Sequence, residues 1–254
     1  MGNLANGGLL ELPPIARPLL RSQILALRSP IASTRQAIWP EDSRNRFHFS
    51  RFTGGTWSAG RNGPAMFFDG VDDSWQTPHS ALMNAASQTW EVWYKARRIP
   101  TYGVSNIVFV FTKMPDTGNS REFSLFLQEN AVPNNGWALG IGNAAASTNY
   151  QITETRPSRI NSWEHVIGLK RQLSGNNYEI ELWVNGVRVA TTTRTDGAFQ
   201  GTTPVALGGL ADGGSSGSRN AEGWIDEANI YNRALNAGEI TYLWQSGRQQ
   251  YRRA

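Results

Sequence analysis

Acidic and aromatic side chains at short spacings are the first candidates for chemistry, because carboxylates and indole rings cleave or bind sugars. Two pairs recur at a spacing of two residues within strand-like segments: Glu91 with Trp93, and Glu181 with Trp183. In a strand, residues two apart share a face, so each acid would stand beside its indole ring. Glycoside hydrolysis needs two carboxylates across one groove, about 5–5.5 Å apart for retention or about 6.5–9.5 Å for inversion.

The remaining acids do not supply a catalytic pair. Asp226 and Glu227 are adjacent, and strand alternation would send them to opposite faces. Glu179 shares the face of Glu181, beside an indole ring and not across a groove. We therefore favour a sugar-stacking surface over a polysaccharide-cleaving enzyme. This surface would consist of Glu91, Trp93, Tyr102, Glu181 and Trp183. The alternative is that these acids are solvated and the indole rings cover a sheet face.

Other chemistries lack their motifs. His48, His79 and His165 do not have the i, i+4 spacing of a helical zinc site. The chain has no cysteine, which excludes disulfides, thiolate catalysis and cysteine metal sites. Phosphate-binding and dinucleotide-binding glycine motifs are absent, as is the G-x-S-x-G elbow of serine hydrolases. The sequence therefore predicts no nucleotide cofactor.

Alternating apolar and polar residues predict an all-β chain. About a dozen strand-like segments follow one another at spacings of about 8–15 residues, with almost no helical periodicity. In residues 88–95, alternation assigns Trp90, Val92 and Tyr94 to the core. Asn185-Gly186 between two apolar runs is a strong hairpin signal. These features predict a two-sheet antiparallel sandwich.

The stretch 222–247 combines a strand with a helix. Residues 223–231 alternate as a strand does. Asn236 and Glu239 have the spacing of a capping box, in which each side chain bonds the other residue's backbone N–H. A short C-terminal helix of one to two turns should therefore follow and end at Gly247.

Three segments carry longer motifs, which are FDGVDD at 68–73, WEHV at 163–166 with LWVNGVRV at 182–189, and GWIDEANIYNRALNAGEI at 223–240. They resemble the laminin-G-like domains of the concanavalin A-like lectin/glucanase superfamily. The resemblance covers about residues 50–246. It implies a two-sheet antiparallel jelly roll with a short C-terminal helix. That fold serves lectins, glycosidases, adhesion modules and virion proteins, so it does not define one function.

The resemblance also implies a possible calcium site. Relatives of this fold often bind one calcium near loop acids. Matching positions in this sequence are occupied by Asp69, Asp72, Asp73 and Asp226, of which Asp69, Asp72 and Asp226 are the predicted ligands. The alternatives are that Asp69 forms a turn before Gly70 and that Asp226 bonds to the backbone. The resemblance further implies that His165 is a packed core residue. The E-x-D-x-x-E strand of glycosidases on this fold is absent, so no enzyme activity is predicted.

Residues 1–45 lie outside the resemblance and form a predicted extended N-terminal arm, before the jelly-roll domain at 46–247 and a short basic tail at 248–254. The proline-punctuated stretch 9–18 should be extended, and 19–28 is predicted to be a short helix. So short a segment cannot bury its own apolar side chains. We expect it to dock on another subunit, or on its own domain. The docking residues would be Leu9, Leu10, Leu12, Ile15, Leu19, Leu20, Ile24 and Leu27.

Charge and targeting signals bear on the partners. The net charge of +4 arises within residues 1–60, where the arginines are scattered and form no patch for nucleic acid. No signal peptide pattern and no apolar stretch of spanning length occur. The sequence thus predicts no nucleic-acid partner, no membrane contact and synthesis in a host cytoplasm.

Two functions are compatible with these observations. The first is a non-catalytic structural subunit of a large assembly, namely a bacteriophage capsid-decoration or capsid-associated protein located in the virion. Its arm would dock on capsid subunits or on other copies of the chain. Phages commonly reuse laminin-G-like jelly rolls, so the resemblance contributes to this prediction. The alternative is a carbohydrate-binding adhesion module, with or without calcium, that recognises surface glycans.

Overall fold

The architecture is a sandwich of two antiparallel sheets. A computed structural model of the chain describes residues 23–27, 51–61, 63–100, 107–115, 120–130, 134–210 and 219–250. Helix α1 spans Ala237–Gln250. The strands are β1 (Gln23–Leu27), β2 (Arg51–Thr53), β3 (Thr56–Ala59), β4 (Pro64–Asp69), β5 (Ser74–Thr77), β6 (Gln88–Ala96), β7 (Ile107–Lys113), β8 (Phe123–Asn130), β9 (Asn134–Gly142), β10 (Asn149–Thr153), β11 (Trp163–Ser174), β12 (Asn177–Val184), β13 (Val187–Arg194), β14 (Val205–Leu207) and β15 (Glu222–Tyr231).

The two sheets divide these strands almost equally. The eight-stranded sheet has the order β13-β12-β11-β6-β15-β4-β3, and β1 also pairs with β15. The seven-stranded sheet has the order β10-β9-β8-β7-β14-β5-β2. Neighbouring strands run antiparallel in both. The predicted all-β jelly roll is confirmed.

The main core lies between the sheets and follows the alternation of the strands. Trp90, Val92 and Tyr94 of β6 are almost fully buried, as their spacing predicts. Trp90 stacks on Phe123 of the facing sheet, with 4.6 Å between ring centroids. Such large aromatic side chains dominate the energy of a sandwich core.

Strand β1 occupies part of the segment that was predicted to be a helix. It pairs with β15 in the register Leu25↔Ile230 and Leu27↔Ala228. Strand β4 covers only Glu222–Ile225 of this edge of β15, so the backbone groups farther along the edge need another partner. Pairing with β1 supplies hydrogen-bond partners to these backbone groups of β15. The segment therefore forms a strand, although the spacing of its apolar residues favours a helix. The helix prediction is wrong, and this part of the arm joins its own domain.

Several predicted positions lie outside the described residues. They are the docking residues Leu9, Leu10, Leu12, Ile15, Leu19 and Leu20, the stacking residue Tyr102, and the end of the basic tail at 251–254. Ile24 and Leu27 belong to β1. The expected boundaries near residues 45 and 247 stay predictions, although β1 of the domain's sheet lies ahead of the first and α1 extends across the second.

Cysteines at positions 27 and 228 should form a disulfide within one chain. Opposed antiparallel residues have Cα atoms about 4.5–5.5 Å apart, within the range of about 4.4–6.8 Å that a disulfide needs. Since the chain has no cysteine, Leu27→Cys with Ala228→Cys introduces the only two thiols. Non-reducing electrophoresis and mass spectrometry should show an oxidised monomer, and each single variant is a control. A disulfide-linked dimer would instead show that β1 pairs with a second copy.

Helix α1 begins with the predicted capping box. Asn236 Oδ1 accepts from the Glu239 backbone N–H at 3.0 Å, and Glu239 Oε2 accepts from the Asn236 N–H at 2.9 Å. The predicted end at Gly247 is wrong, because the helix continues to Gln250. A methyl group at Gly247 would lie 2.6 Å from Cζ2 of Trp93. This glycine therefore allows the helix to lie close against Trp93.

A buried charged cluster lies in the core at one end of the sandwich. Lys113 on β7 forms an ion pair with Glu122, and both side chains are almost completely buried. The ammonium of Lys170 on β11 is also buried and has no hydrogen-bond acceptor among the described residues. It lies 5.9 Å from the ring centroid of Trp90. Burial lowers the pKa of Lys170 to about 8, because a low-dielectric core disfavours the charged form.

Removing the Lys170 charge should stabilise the fold at neutral pH. The folded pKa lies below the usual 10.5, so the charged lysine destabilises the native state fully below pH 8 and progressively less as the pH rises towards 10.5. Lys170→Met should therefore raise the free energy of unfolding at pH 7 by on the order of 3 kcal/mol, and this gain should shrink between pH 8 and 10.5.

Urea denaturation across this pH range measures the effect of Lys170→Met. Arg188→Met removes a half-exposed cation and should change stability little, with no trend over the same range. Equal stability of Lys170→Met and the unaltered chain at pH 7 would contradict the expectation.

Candidate functional site

Helix α1 covers much of the outer face of the eight-stranded sheet. Beneath it lies a second hydrophobic cluster that consists of Ile167, Leu169, Tyr231, Leu235 and Ile240, with Trp183, Tyr242 and Leu243 packed against it. The outward-facing residues of β11 and β12 are thus partly enclosed. The outer face does not form the open stacking surface expected from strand alternation alone.

Glu91 is buried at the centre of this face. One carboxylate oxygen lies 2.9 Å from His165 Nε2, and the other accepts from Asn229 at 2.8 Å and from Tyr231 at 2.7 Å. Burial acts to raise the pKa of Glu91, but the hydrogen bonds and charge of His165 and the two further donors lower it overall. Glu91 therefore holds the sheet together and is not exposed to a ligand. His165 is the packed residue that the family pattern implies.

Glu181 and Trp183 also bond within the protein. Glu181 Oε2 accepts from Trp183 Nε1 at 2.6 Å, and its other oxygen lies 3.5 Å from Arg171 and 3.4 Å from Arg188. The carboxylate is buried and the indole is half-buried beside α1. Of the expected stacking residues that the structure describes, Trp93 alone belongs to the lining of the cleft between α1 and the end of the sheet.

A cleft of about 610 Å³ opens where α1 meets one end of the outer face. Its lining includes three indole rings, two cations and two amides, from Trp93, Trp163, Trp244, Arg61, Lys95, Asn161 and Asn185. None of the described lining residues is acidic. Pockets with aromatic walls and a few polar groups are the usual sites for small ligands.

A row of half-buried side chains crosses the strands at this end of the sheet. Lys95 on β6 is opposite Trp163 of β11 on one side and Trp224 of β15 on the other. Its ammonium lies 4.6 Å from the ring centroid of Trp224, a cation–π distance. Phe67 of β4 extends the row, with 4.9 Å between its ring centroid and that of Trp224. The sequence analysis predicted these strands. No local sequence signal indicated that α1 would leave this row of side chains uncovered.

Arg61 is buried beside the cleft and contacts three other elements. Its guanidinium carbon lies 3.8 Å from the ring centroid of Trp93. Its Nη1 donates to the carbonyl oxygen of Gly247 on α1, and Nη2 lies 3.1 Å from Glu227 Oε2. Its backbone N–H donates to Asp226 Oδ2 at 2.9 Å. The arginine thus connects the β3–β4 turn to β6, β15 and α1.

A β-bulge in β15 corrects the expectation that Asp226 and Glu227 point to opposite faces. The register with β6 shifts between Asp226 and Ala228, and Glu227 adopts a φ of +57°. The inserted residue interrupts strict alternation, so that both carboxylates reach Arg61. A left-handed conformation costs a non-glycine residue about 1–2 kcal/mol, and the contacts with Arg61 oppose that cost.

Two asparagines of the lining stand in tight turns. Asn161 and Asn185 have φ values of +59° and +52°, in the left-handed region that asparagine tolerates. Asn185-Gly186 forms the predicted hairpin turn between β12 and β13. Asn185 Oδ1 accepts from the His165 backbone N–H at 3.0 Å, which leaves the amide N–H groups available to a ligand. Gly186 lies under Trp244, where a methyl group would come within 2.8 Å of the ring.

The acids expected to bind calcium do not all meet. Asp69 and Asp72 lie together with Asp73, and one carboxylate oxygen from each lies within 4.8 Å of the others. Asp226 is four residues along β15 from Glu222, the partner of Asp69, and it bonds to Arg61 instead. Asp73 already accepts from the Gly55 and Asp69 backbone N–H groups at 2.7 Å each. The remaining oxygens suit calcium, which prefers carboxylate ligands.

The chain belongs to the concanavalin A-like lectin/glucanase superfamily, because the family model of that description matches residues 69–241. This span includes β6, β11 and β15 of the cleft row and the start of α1, whereas Phe67 of β4 lies just ahead of it. The resemblance seen in the three sequence motifs is therefore confirmed. No curated protein sequence matches the chain at a significant level.

Solved structures share the fold at low sequence identity. The binding domain of Paraclostridial Mosquitocidal Protein 1 is 17% identical with a TM-score of 0.69, and the match covers 90% of this chain and 53% of that one. The botulinum neurotoxin serotype D binding domain is 12% identical with a TM-score of 0.66, covering 91% and 52%. This chain thus spans about half the length of these toxin domains.

A third similar structure is matched over nearly its whole length. Domain 4 of AbnA, a GH43 extracellular arabinanase from Geobacillus stearothermophilus, was solved in complex with arabinotriose. It is 20% identical with a TM-score of 0.61, and the match covers 81% of this chain and 92% of that domain. Within the described part of the chain, no helix has the length and apolar character needed to cross a membrane.

Replacing Arg61 should destabilise the fold strongly. Arg61→Gln removes one partner of a buried ion pair and the contact between α1 and Trp93, which leaves the Glu227 carboxylate without its cation. We expect a loss of about 3 kcal/mol in the free energy of unfolding, the lower end of the range for such changes because Glu227 is partly exposed. Guanidinium denaturation measures it. Arg97→Gln removes an exposed arginine from Glu222, which keeps Arg98 as its partner, and should cost less than about 1 kcal/mol. An equal loss in both variants would contradict the role assigned to Arg61.

Proposed function

We propose that this domain binds carbohydrate without cleaving it, in the cleft between α1 and the end of the outer sheet face. The observation that carries the proposal is the pair of half-buried indole rings, Trp163 and Trp244, that border this cleft. The flat C–H faces of sugar rings suit aromatic surfaces, and the Asn161 and Asn185 amides would bond to sugar hydroxyls. A volume of about 610 Å³ accommodates a short oligosaccharide segment.

Membership of the superfamily supports this proposal. Among similar structures, Domain 4 of AbnA is described with arabinotriose bound, and the two toxin structures are described as binding domains. None of these descriptions identifies the sugar that this chain would bind. They agree with a binding role for a domain of this fold.

We infer that the domain is not an enzyme, because the carboxylates near the cleft already bond within the protein. Glu91, Glu181, Asp226 and Glu227 each contact donors of their own chain. Another acid, Glu164, has its pKa raised to about 7 by burial and by the neighbouring Glu154 charge. It accepts from Trp137 Nε1 at 2.9 Å within the core and does not line the cleft. Among the described residues near the cleft, no exposed pair of acids is available for a polysaccharide-cleaving reaction.

Calcium binding by Asp69, Asp72 and Asp73 remains a separate proposal. It rests on their proximity and on the oxygens that backbone donors leave free. These acids do not line the cleft, so calcium is not expected to be a direct ligand of the sugar.

The virion role also remains a prediction. It rests on the apolar composition of residues 1–45 and on the use of such jelly rolls by phages. The one described part of this arm, β1, pairs with its own sheet, so that any docking on a capsid would involve the remainder. An assembly subunit could display the proposed glycan site, and the two roles are compatible.

Alanine at either indole of the cleft should weaken glycan binding without unfolding the domain. Trp163→Ala and Trp244→Ala each remove a stacking surface, and an aromatic contact of about 0.5–1.5 kcal/mol corresponds to an affinity loss of about 2-fold to 10-fold. A glycan array of neutral and acidic oligosaccharides identifies ligands, and calorimetry on the best of them measures the loss.

Trp57→Ala is the matched control for these variants. Trp57 is also a half-buried indole, but it packs edge-on against Trp75, with ring centroids 5.7 Å apart, and does not line the cleft. Its loss should leave glycan affinity unchanged. Repeating the array with calcium and with a chelator separates the metal proposal. No binding to any glycan under either condition would refute the carbohydrate-binding proposal.

A further inference from the structure

The buried part of the cleft lining presents N–H donors and few acceptors. Arg61 and Trp93 are almost fully buried there. Both Arg61 Nε and Trp93 Nε1 lack a hydrogen-bond acceptor in the part of the chain that the structure describes. Buried donors are nearly always satisfied in folded proteins, so two orphan donors beside one cleft indicate that a ligand or water supplies the acceptors.

Lys95 adds a positive charge at the same place. It stands in the row between Trp163 and Trp224, half-buried and in contact with the Trp224 ring. No carboxylate of the described residues lies within ion-pair distance of its ammonium, whereas the Arg61 guanidinium is paired with Glu227. Asp226 and Glu227 contact Arg61 but do not line the cleft. Among the described residues, the lining therefore carries two cations and no anion.

This distribution favours an anionic ligand over a neutral sugar. A hydroxyl group both donates and accepts, and it needs an acceptor for its own proton. Asn185 Oδ1 is already used by the His165 backbone N–H, so the lining has few such acceptors. A carboxylate only accepts, and hydrogen bonds to charged groups are the stronger ones.

We propose that the cleft recognises an acidic sugar, a hexuronic acid unit, whose carboxylate pairs with Lys95 while its ring stacks on Trp163 or Trp244. The inference rests on the carbohydrate-binding function proposed above and names the class of sugar. Arg61 and Trp93 would supply their orphan N–H groups to the deepest oxygen of the ligand. Arg61 has a positioning role as well, because it also holds α1 against β6.

Oligouronates and their methyl esters test this assignment, because esterification removes the charge and keeps the ring and its stacking. The probes are trimers of galacturonic, glucuronic and mannuronic acid, their methyl esters, and the corresponding neutral trimers. Calorimetry with the full chain should give at least one uronate an affinity about tenfold or more above that of its ester, as a charged hydrogen bond implies. This preference should shrink as salt is added.

Variants of Lys95 assign the preference to one side chain. Lys95→Gln should abolish the difference between acid and ester and leave ester affinity within about twofold, while Lys95→Arg should retain the difference. Arg194→Gln is the matched control, because Arg194 is also a partly buried cation over an aromatic ring, that of Tyr150. It lies at the opposite end of β13 from the Asn185-Gly186 turn, so its loss should change neither affinity. Circular dichroism checks that each variant is folded, and Lys95→Met, which also removes the charge but keeps an unbranched side chain, replaces Lys95→Gln if that variant is not folded.

The possible outcomes separate this inference from the function on which it rests. Equal binding of acid, ester and neutral trimers would overturn the acidic-sugar assignment and leave the carbohydrate-binding proposal intact. Tighter binding of a galactose 6-sulfate trimer than of any uronate would overturn the carboxylate in favour of a sulfate. An acid preference that persists in Lys95→Gln and in Trp163→Ala would place recognition outside this cleft. Failure of every glycan to bind would remove the carbohydrate-binding proposal itself.

Discussion

One buried arginine links the elements that surround the cleft. Arg61 stacks on Trp93 of β6, donates to the carbonyl of Gly247 on α1, and receives Asp226 and Glu227 from β15. A buried guanidinium is tolerated only where hydrogen bonds and opposite charge replace its water. The β-bulge at Glu227 supplies that charge by turning a second carboxylate towards the arginine. Helix α1 at Gly247 and the β-bulge at Glu227 are therefore both held by contacts with Arg61.

The cleft exists because the helix covers the outer face only partly. Over β11 and β12 the helix encloses a hydrophobic cluster, and there the acids and indoles bond to each other. At the end of the sheet, Trp163 and Lys95 stay half-buried in the lining of the cavity, and Trp224 stays half-buried next to Lys95. Indole rings on the same face of the sheet are thus enclosed by α1 in one place and border the cleft in another. Their position relative to α1 decides which of them can meet a ligand.

The sequence predicted most of the fold because strand alternation and turn chemistry are local signals. Trp90, Val92 and Tyr94 lie in the core, Asn185-Gly186 makes its hairpin turn, and the capping box at Asn236 forms as its spacing indicates. The C-terminal limit of the helix was wrong, because a glycine that ends many helices here permits contact with Trp93. The segment 19–28 was wrong, because the open edge of β15 lies about 200 residues away in the sequence.

The site was less predictable than the fold. Of the expected stacking residues, Trp93 borders the cleft, while Glu91 and Glu181 are buried among donors. Both Trp163 and Lys95 were visible in the sequence as strand residues. Their importance depends on which part of the sheet α1 leaves open, and that is a property of tertiary packing. Asparagine and glycine are the residues that usually mark a left-handed position. Because position 227 is a glutamate, no sequence signal indicated the bulge there.

Strands β4 and β1 pair with successive parts of one edge of β15, so an N-terminal truncation that removes β1 would expose part of that edge. If a recombinant fragment began near residue 46, the stretch Ala228–Tyr231 would be left with unsatisfied amides and carbonyls along a rim rich in apolar side chains. Exposed rims of this kind template intermolecular β-pairing and aggregation. We therefore expect a fragment that starts upstream of Gln23 to be more soluble than one that starts near residue 46.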